Sequence, residues 1–554
     1  MSEAIQDPEK KEIMVDEEKH RRRESVTEYI DELEQAYQAD ISFAAILNGT
    51  AAAPLTTFEK KAALINAELD KFGMGRYQWC IWFLCGFGYF LDLAWAEGVG
   101  LGAISMYQEF GVPTTRQGDI YSCGNAGLAV GALTFGLLVD VIGRKWAFNL
   151  TCLICSFFGL FLAAPHYNYG AICALYLLAC LGLGGNIPID AAITLEFLPQ
   201  GRRNLVALLS MWQPIGVVVA AAVAYGTTAK WRCNPKLPAC DGSGVPCCQP
   251  ADNMGWRYEF IILGLLTLTV FFLRFAVFNF YESPKYLLGK GREAEAIEVL
   301  HKIAKFNKAP PPTLTLEMFA EIDAMHGNTM NAPAYDNKQA VKEFFAQFGH
   351  LKELFTRKLQ LFIFILMAIA YMGDYWSFNL AGSFLPIILA NNGVAHGTDV
   401  TETYREYVYI YLPGIIGAIL ALASVQLPIV GRKWSLVFSA VCQGLSMAMY
   451  TQVKTTVGYV GLNALEYIMQ TATPQFFNAV LYASAPELFD TIYRGSASGM
   501  LSCLGRLAGI VAPFAGAEYL TGGSGILWLG AGGIWLAAFS MVFLPVEMRD
   551  RQMF

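Results

Sequence analysis

Apolar residues run through this chain in twelve long stretches, separated by short polar turns and interrupted once by the polar segment 281–358. Each stretch approaches or exceeds the roughly 20 residues with which an α-helix crosses a bilayer. The pattern predicts spans at 78–102, 118–139, 146–164, 170–194, 205–227, 257–280, 359–389, 406–427, 434–452, 456–485, 496–520 and 523–545. The expected fold is an all-α membrane protein: twelve transmembrane helices in two pseudo-symmetric six-helix halves, 77–280 and 359–545. Around them lie a charged N-terminal tail (1–76) with a helix near Phe58 to Phe72, a cytoplasmic linker with amphipathic helices (281–358), and a short C-terminus (546–554).

The turns show the doubling. Gly136-Leu-Leu-Val-Asp140-Val-Ile-Gly143-Arg144-Lys145 joins the second and third stretches, and Ser424-Val-Gln-Leu-Pro428-Ile-Val-Gly431-Arg432-Lys433 joins the eighth and ninth. Both continue into Trp, with Gly143 and Gly431 lying 288 positions apart. Tyr89-x-x-Asp92 returns 282 positions on as Tyr371-x-x-Asp374, and Glu196 with Arg203 returns 291 positions on as Glu487 with Arg494. Small loop insertions account for the drift. Two homologous halves of several membrane helices are the sequence mark of a secondary transporter whose site lies between them.

Basic residues orient the chain. Arg144/Lys145, Arg202/Arg203, Arg357/Lys358, Arg432/Lys433, Arg494 and Arg549/Arg551 share one face with both termini, which makes that face cytoplasmic. The opposite loops still carry Arg116, Lys230, Arg232, Lys236 and Arg405, so the bias is imperfect. The chain has 554 residues, of which 55% are hydrophobic and only 15% charged, against about 25% charged in soluble domains. A net charge of −7 gives no reason to expect a nucleic-acid partner. Nucleotide-binding loops, nucleophile elbows and paired metal motifs are missing, which argues against an ATP-driven pump or an enzyme and gives no cofactor or metal site. The plasma membrane is the expected location, with an internal membrane such as the vacuolar one as the alternative.

Nine of thirteen cysteines lie within apolar stretches and read as small packing residues. Cys233, Cys240, Cys247 and Cys248 share the outer loop between the fifth and sixth stretches, where disulfides are favoured. Vicinal Cys247 and Cys248 are poor partners for each other, which leaves a crossed or a nested pairing to Cys233 and Cys240, or else free thiols or a metal site. In the N-terminal tail, Arg22-Arg23-Glu24-Ser25 fits the acceptor form of basophilic kinases, so a kinase acting at Ser25 is a candidate partner; a solvated charge run is the plainer reading.

Glu282-Ser283-Pro284-Lys285-Tyr286-Leu287, just past the sixth stretch, resembles the motif that follows helix 6 in sugar porters of the major facilitator superfamily. Gly136 to Lys145 is similar to that family's loop between helices 2 and 3, Glu196-x-x-Pro199-x-x-x-Arg203 to its motif after helix 4, and Glu487 to Gly495 to the second-half counterpart. Leu544-Pro545-x-Glu547-x-Arg549 resembles the terminal motif. Gly185-Asn186-Ile187-Pro188-Ile189-Asp190 and Phe90-Leu91-Asp92-Leu-Ala-Trp95 resemble the synaptic-vesicle-protein-like branch found in fungi. The resemblance implies alternating access between two six-helix halves. The chain departs from hexose carriers in three places. Pro428 replaces Asp140 in the second half, the helix-7 signature is Tyr371 to Asn379 instead, and the fourth stretch has no arginine.

Ionisable groups inside the hydrocarbon are costly and are functional candidates by default. Asp92 lies about 14 residues into the first stretch, or ~21 Å at 1.5 Å per residue, and Asp374 sits at the equivalent depth of the seventh. Both are proton-coupling candidates, as is Glu97; the competing reading is a carboxylate paired with a buried cation, for which Arg506 is available. Asn186, Asp190, Gln213, Asn379, Glu466, Gln470 and Asn478 are polar candidates for binding solute. Trp95, Trp212 and Trp376 could stack on a flat or sugar-like solute or serve packing, and Arg506 could bind an anion. Arg274, nearer the cytoplasmic end, is expected to snorkel to the headgroups. Asp140, Arg144, Glu196, Arg203, Arg432, Glu487 and Arg494 read as a cytoplasmic charge network that holds the halves together in the outward-facing state.

Two function classes follow. One is a secondary transporter, proton-coupled, for a small polar solute such as a sugar, polyol or organic acid. The other is a non-transporting nutrient sensor on the same fold, for which a long cytoplasmic C-terminal tail would be expected; only nine residues follow Pro545.

Overall fold

The computed structural model describes residues 57–113, 116–165, 168–234, 237–240, 246–277, 280–325, 355, 358–391, 408, 411–427, 430–450, 460–489, 494–518 and 525–545. They form two compact units. Ser25, Pro428 and the amphipathic stretch expected before Phe355 lie outside them.

The smaller unit joins α1 (Thr57–Phe72) to α8 (Pro284–Gly289), α9 (Glu293–Asn307) and α10 (Leu316–Met325). Ala62, Ile65, Leu69, Leu300, Phe319 and Ile322 make its core. Lys61 reaches Glu293 and Asp323, each at 2.6 Å, so one ammonium ties α1 to two helices. Ser283 caps α8 by accepting from the Tyr286 amide, with Pro284 opening the helix. Lys308, in a left-handed conformation, closes α9 just before the three prolines. The end of the expected N-terminal tail thus packs on the start of the linker.

The larger unit holds the membrane helices. The first six are α2 (Arg76–Phe110), α3 (Asp119–Ile142), α4 (Arg144–Phe161), α5 (Tyr169–Phe197), α6 (Gln200–Gly226) and α7 (Gly255–Phe275). The second six are α11 (Lys358–Asn391), α12 (Gly414–Gln426), α13 (Gly431–Tyr450), α14 (Val460–Leu488), α15 (Arg494–Glu518) and α16 (Gly525–Val542). All twelve expected spans appear as helices. Eight of them meet a strict test of length and hydropathy for crossing a membrane among the described residues.

The packing repeats with the sequence. In the first half α2 packs on α6 and α7, α3 and α4 on α5, and α4 on α7; in the second, α11 packs on α15 and α16, α12 and α13 on α14, and α13 on α16. Two of the cross-half packings, α3 with α15 and α12 with α6, are counterparts under the same shift of six helices. Gly143 (φ 94°) and Gly431 (φ 54°) make the two repeated turns, because only glycine takes these backbone angles without strain.

Candidate functional site

Among the described residues the seam between the halves carries one buried ion pair. Asp92 of α2 and Arg506 of α15 face each other with Oδ1 and Nη2 3.7 Å apart, the arginine fully buried. Arg506 Nη1 donates to the Ser502 hydroxyl and, at 3.5 Å, to the Gly184 carbonyl, where α5 breaks. Its guanidinium lies 5.5 Å from the centre of the Tyr375 ring. Arg506 Nε and Nη2 and Asp92 Oδ1 have no hydrogen-bond partner among the described residues. At 3.7 Å the pair is a Coulombic contact and not a hydrogen bond. Gln213 Nε2 donates to Asp92 Oδ2 at 3.5 Å, and Gln475 of α14 donates to Gln213 Oε1 at 2.9 Å and to the Ser210 carbonyl at 2.6 Å.

Tyrosines surround this pair. Tyr89 and Tyr371, the two repeated tyrosines, both pack on Tyr482, with ring centres 6.4 and 5.9 Å away, and the Tyr482 hydroxyl donates to that of Tyr375 at 3.3 Å. A gap lined by Ile187, Pro188, Tyr371, Tyr482, Ser498 and Ser502 has room for about one water. The two acids of the repeat differ here. Asn478, its amide turned to donate, lies 2.6 and 3.2 Å from the carboxylate oxygens of Asp374, which has no cation beside it among the described residues. The offset of 291 that relates Glu196 to Glu487 puts Ile215 opposite Arg506 in the repeat, which is why only Asp92 meets a guanidinium.

Contacts close the seam at both ends. On the side expected to be extracytoplasmic Tyr411 donates to Glu97 Oε1 at 2.8 Å, Asn125 donates to Asn379 at 3.0 Å, and Leu101, Ala221 and Ala224 pack with Val408. Toward the cytoplasm, α3 and α15 approach so closely that a methyl group on Gly136 would lie 2.8 Å from Gly499 Cα. The halves meet above and below the ion pair, which leaves Asp92 and Arg506 occluded.

Several expected site residues have partners within their own half. Asp190 is fully buried within the first half and lies 3.3 Å from Arg274 Nη2. Arg274 does not snorkel. Its guanidinium, also buried, donates to the carbonyls of Leu84 (2.9 Å) and Phe148 (3.2 Å) and lies 3.8 Å over the Phe148 ring. Trp95 donates to Thr267 at 2.9 Å and wedges against Gly159, while Trp376 donates to the Leu529 carbonyl at 3.2 Å and packs on Gly533. Trp212 joins a ring cluster with Trp82, Phe83 and Phe87. Both amide atoms of Asn186 are buried without a hydrogen-bond partner among the described residues. The side chains of Glu466, Gln470, Asp140 and Arg494 lie outside the described residues.

The cytoplasmic charges pair inside each half. Arg144 reaches Glu196 at 3.1 Å, and Arg432 reaches Glu487 at 2.5 Å, the same pair repeated. Glu282 accepts from the backbone amides of Arg144 and Lys145 at 2.9 and 3.3 Å, so the acid of the Glu-Ser-Pro motif caps α4. Arg203 is buried with them. Each of these two ion pairs lies within one half, and α3 and α15 meet across the halves at Gly136 and Gly499. In the outer loop Cys233 joins Cys248 and Cys240 joins Cys247, the nested arrangement.

Sequence reading missed Gln475, Tyr375, Tyr482, Tyr411 and Asn125. The first three are polar or aromatic residues on otherwise apolar helices, one of them beside Asp374, and their number hides them among many equivalents. Nothing in sequence spacing relates Tyr411 to Glu97 or Asn125 to Asn379.

Comparison with known proteins agrees with this architecture. The model of the Major Facilitator Superfamily matches residues 79–513, and the chain belongs to that family of transporters. It is 35% identical over 499 residues to an MFS siderochrome iron transporter from Ceriporiopsis subvermispora, covering 89% of this chain and 92% of the relative. It is 32% identical to the major facilitator-type transporter hxnZ of Emericella nidulans, with 86% of each covered, and 25% identical to a niacin transporter of Acinetobacter baylyi, with 81% and 88% covered. Among solved structures, the proton:xylose symporter XylE superposes with a TM-score of 0.63 at 17% identity, covering 85% of this chain and 96% of that one. The protein is an integral membrane transporter and not an enzyme.

Proposed function

We propose that this transporter is a proton-coupled symporter of a small organic acid, with Arg506 as the anion anchor and Asp92 as the coupling acid. The observation that carries the reading is a fully buried guanidinium whose Nε and Nη2 make no hydrogen bond among the described residues while its carboxylate partner stands 3.7 Å off. A buried donor without an acceptor is costly, and a solute carboxylate at Arg506 would satisfy it. Protonation of Asp92 removes its charge and releases Arg506 to the solute anion. The anion and the proton then cross together, and their departure on the inner side lets Asp92 and Arg506 pair again. Asp374 and Glu97, held by Asn478 and Tyr411, are the secondary proton candidates. Tyr371, Tyr375 and Tyr482 give the anion a ring-lined surround, in keeping with the aromatic acid named in the niacin relative. We place the protein in the plasma membrane, where the disulfide-bearing loop faces an oxidising exterior.

A second reading rests on the 35% identical relative, whose name specifies siderochrome iron. Uptake of labelled niacin, benzoate, xylose and a ferric siderochrome into proteoliposomes separates the two. The proposal expects acid-driven uptake of the carboxylates and its loss in Arg506→Ala. Uptake of xylose or the siderochrome alone would overturn it.

A further inference from the structure

Glu259 is a buried acid with no part in the site above. It lies in the first turns of α7, behind α2 and α6, and is fully buried. The Thr228 hydroxyl at the end of α6 donates to its Oε2 at 2.5 Å. Oε1 has no hydrogen-bond partner among the described residues and faces Gly98 of α2, where an added methyl would come within 3.8 Å of it. Leu263 and Ala220 close the remaining sides around Gly98. The charged groups on the surrounding elements are engaged elsewhere. Arg257 of α7 is held by Glu109 of α2 at 2.6 Å, Glu97 of α2 accepts from Tyr411, and the turn just past α6 brings the Thr228 hydroxyl.

An ionised carboxylate enclosed in this way, with one donor and no opposing charge, is strongly unfavourable, and buried intramembrane acids without a cation commonly hold protons. We propose that Glu259 is a proton-binding site in the extracytoplasmic half of the bundle, carrying its proton as a carboxylic acid with Thr228 as its hydrogen-bond partner. Gly98 stands six residues beyond Asp92 on α2, about 9 Å along the axis, so this site lies between the outer face and the seam pair. Under the symport reading it is the first stop for a proton entering from outside. That role rests on the reading; the proton site itself does not.

Infrared titration of the full chain in lipid vesicles tests it without a transported solute, by following the carbonyl stretch of protonated carboxylic acids. Glu259→Gln, which conserves volume and hydrogen-bonding capacity, should lose one such band, and Asp92→Asn should keep it. Thr228→Val removes the hydroxyl without touching the acid and should shift the frequency of the same band, which keeps the test open if Glu259→Gln folds poorly. An unchanged set of bands in both Glu259→Gln and Thr228→Val would overturn the proposal, as would a band that responds to sodium and not to pH. Failure of acid-driven uptake with the band intact would instead remove the symport reading and leave the site standing.

Discussion

Two regions of the membrane unit bury opposite charges, and they do so differently. Inside the first half, Arg257 grips Glu109 at 2.6 and 3.0 Å with Trp256 and Asn253 donating to the same carboxylate, and Arg274 spreads its guanidinium over Asp190 and two backbone carbonyls. At the seam, Asp92 and Arg506 stand 3.7 Å apart with three of their polar atoms unbonded among the described residues. The first arrangement recovers much of the cost of desolvation through direct hydrogen bonds to the carboxylates and carbonyls, although Asp190 Oδ1, Arg274 Nε and Arg257 Nε stay unbonded among the described residues. The second recovers less of it, which on the proposed symport reading lets a proton or an anion take either partner's place. A carrier needs both: rigid halves and a seam that opens.

The sharpest way to break this comparison is to attack the rigid side. Arg274→Ala leaves Asp190 buried without its cation and should destabilise the protein by about 3–5 kcal/mol, read as a lower melting temperature in detergent. Arg506→Ala at the seam should cost much less stability while removing uptake. Equal loss of stability in both would erase the distinction. A middle-sized effect is expected where charges brace each half near the cytoplasm. Arg144→Ala and Arg432→Ala each free a glutamate and should slow exchange roughly tenfold, equivalent to about 1.4 kcal/mol, without changing which solutes are accepted. A changed solute ranking would move these residues into the binding site. The smallest effect belongs to Trp95→Phe, which loses one hydrogen bond to Thr267 and should cost about 1 kcal/mol of stability with solute preference unaltered. A change in preference would return Trp95 to the solute path.

The fold was legible because its signals are long. Runs of apolar residues mark spans directly, and the repeated Gly-Arg-Lys turn and Glu/Arg pairs mark the doubling, which the packing of α2–α7 against α11–α16 reproduces. Asp92 and Arg506 were legible as candidates because charges are rare in membrane helices, and their pairing had been one of two readings for Asp92. Which polar residues face the seam was not legible. Asp190 and Asp92 look alike in sequence, yet one points at Arg274 within its half and the other across to α15, a matter of helix rotation that uniformly apolar helices do not record. Nor does spacing alone tell that Glu196 and Glu487 each meet an arginine of their own half, Arg144 and Arg432.

The central claim is that Asp92 and Arg506 form a loose pair that a proton opens. Asp92→Asn, which imitates the protonated acid at nearly constant volume, tests it most directly in proteoliposomes loaded with the solute found in the uptake panel. The account predicts that this variant exchanges solute at equal concentrations across the membrane at close to the unmutated rate but cannot accumulate it against a gradient when the outside is made acidic. Undiminished acid-driven accumulation by Asp92→Asn would contradict it.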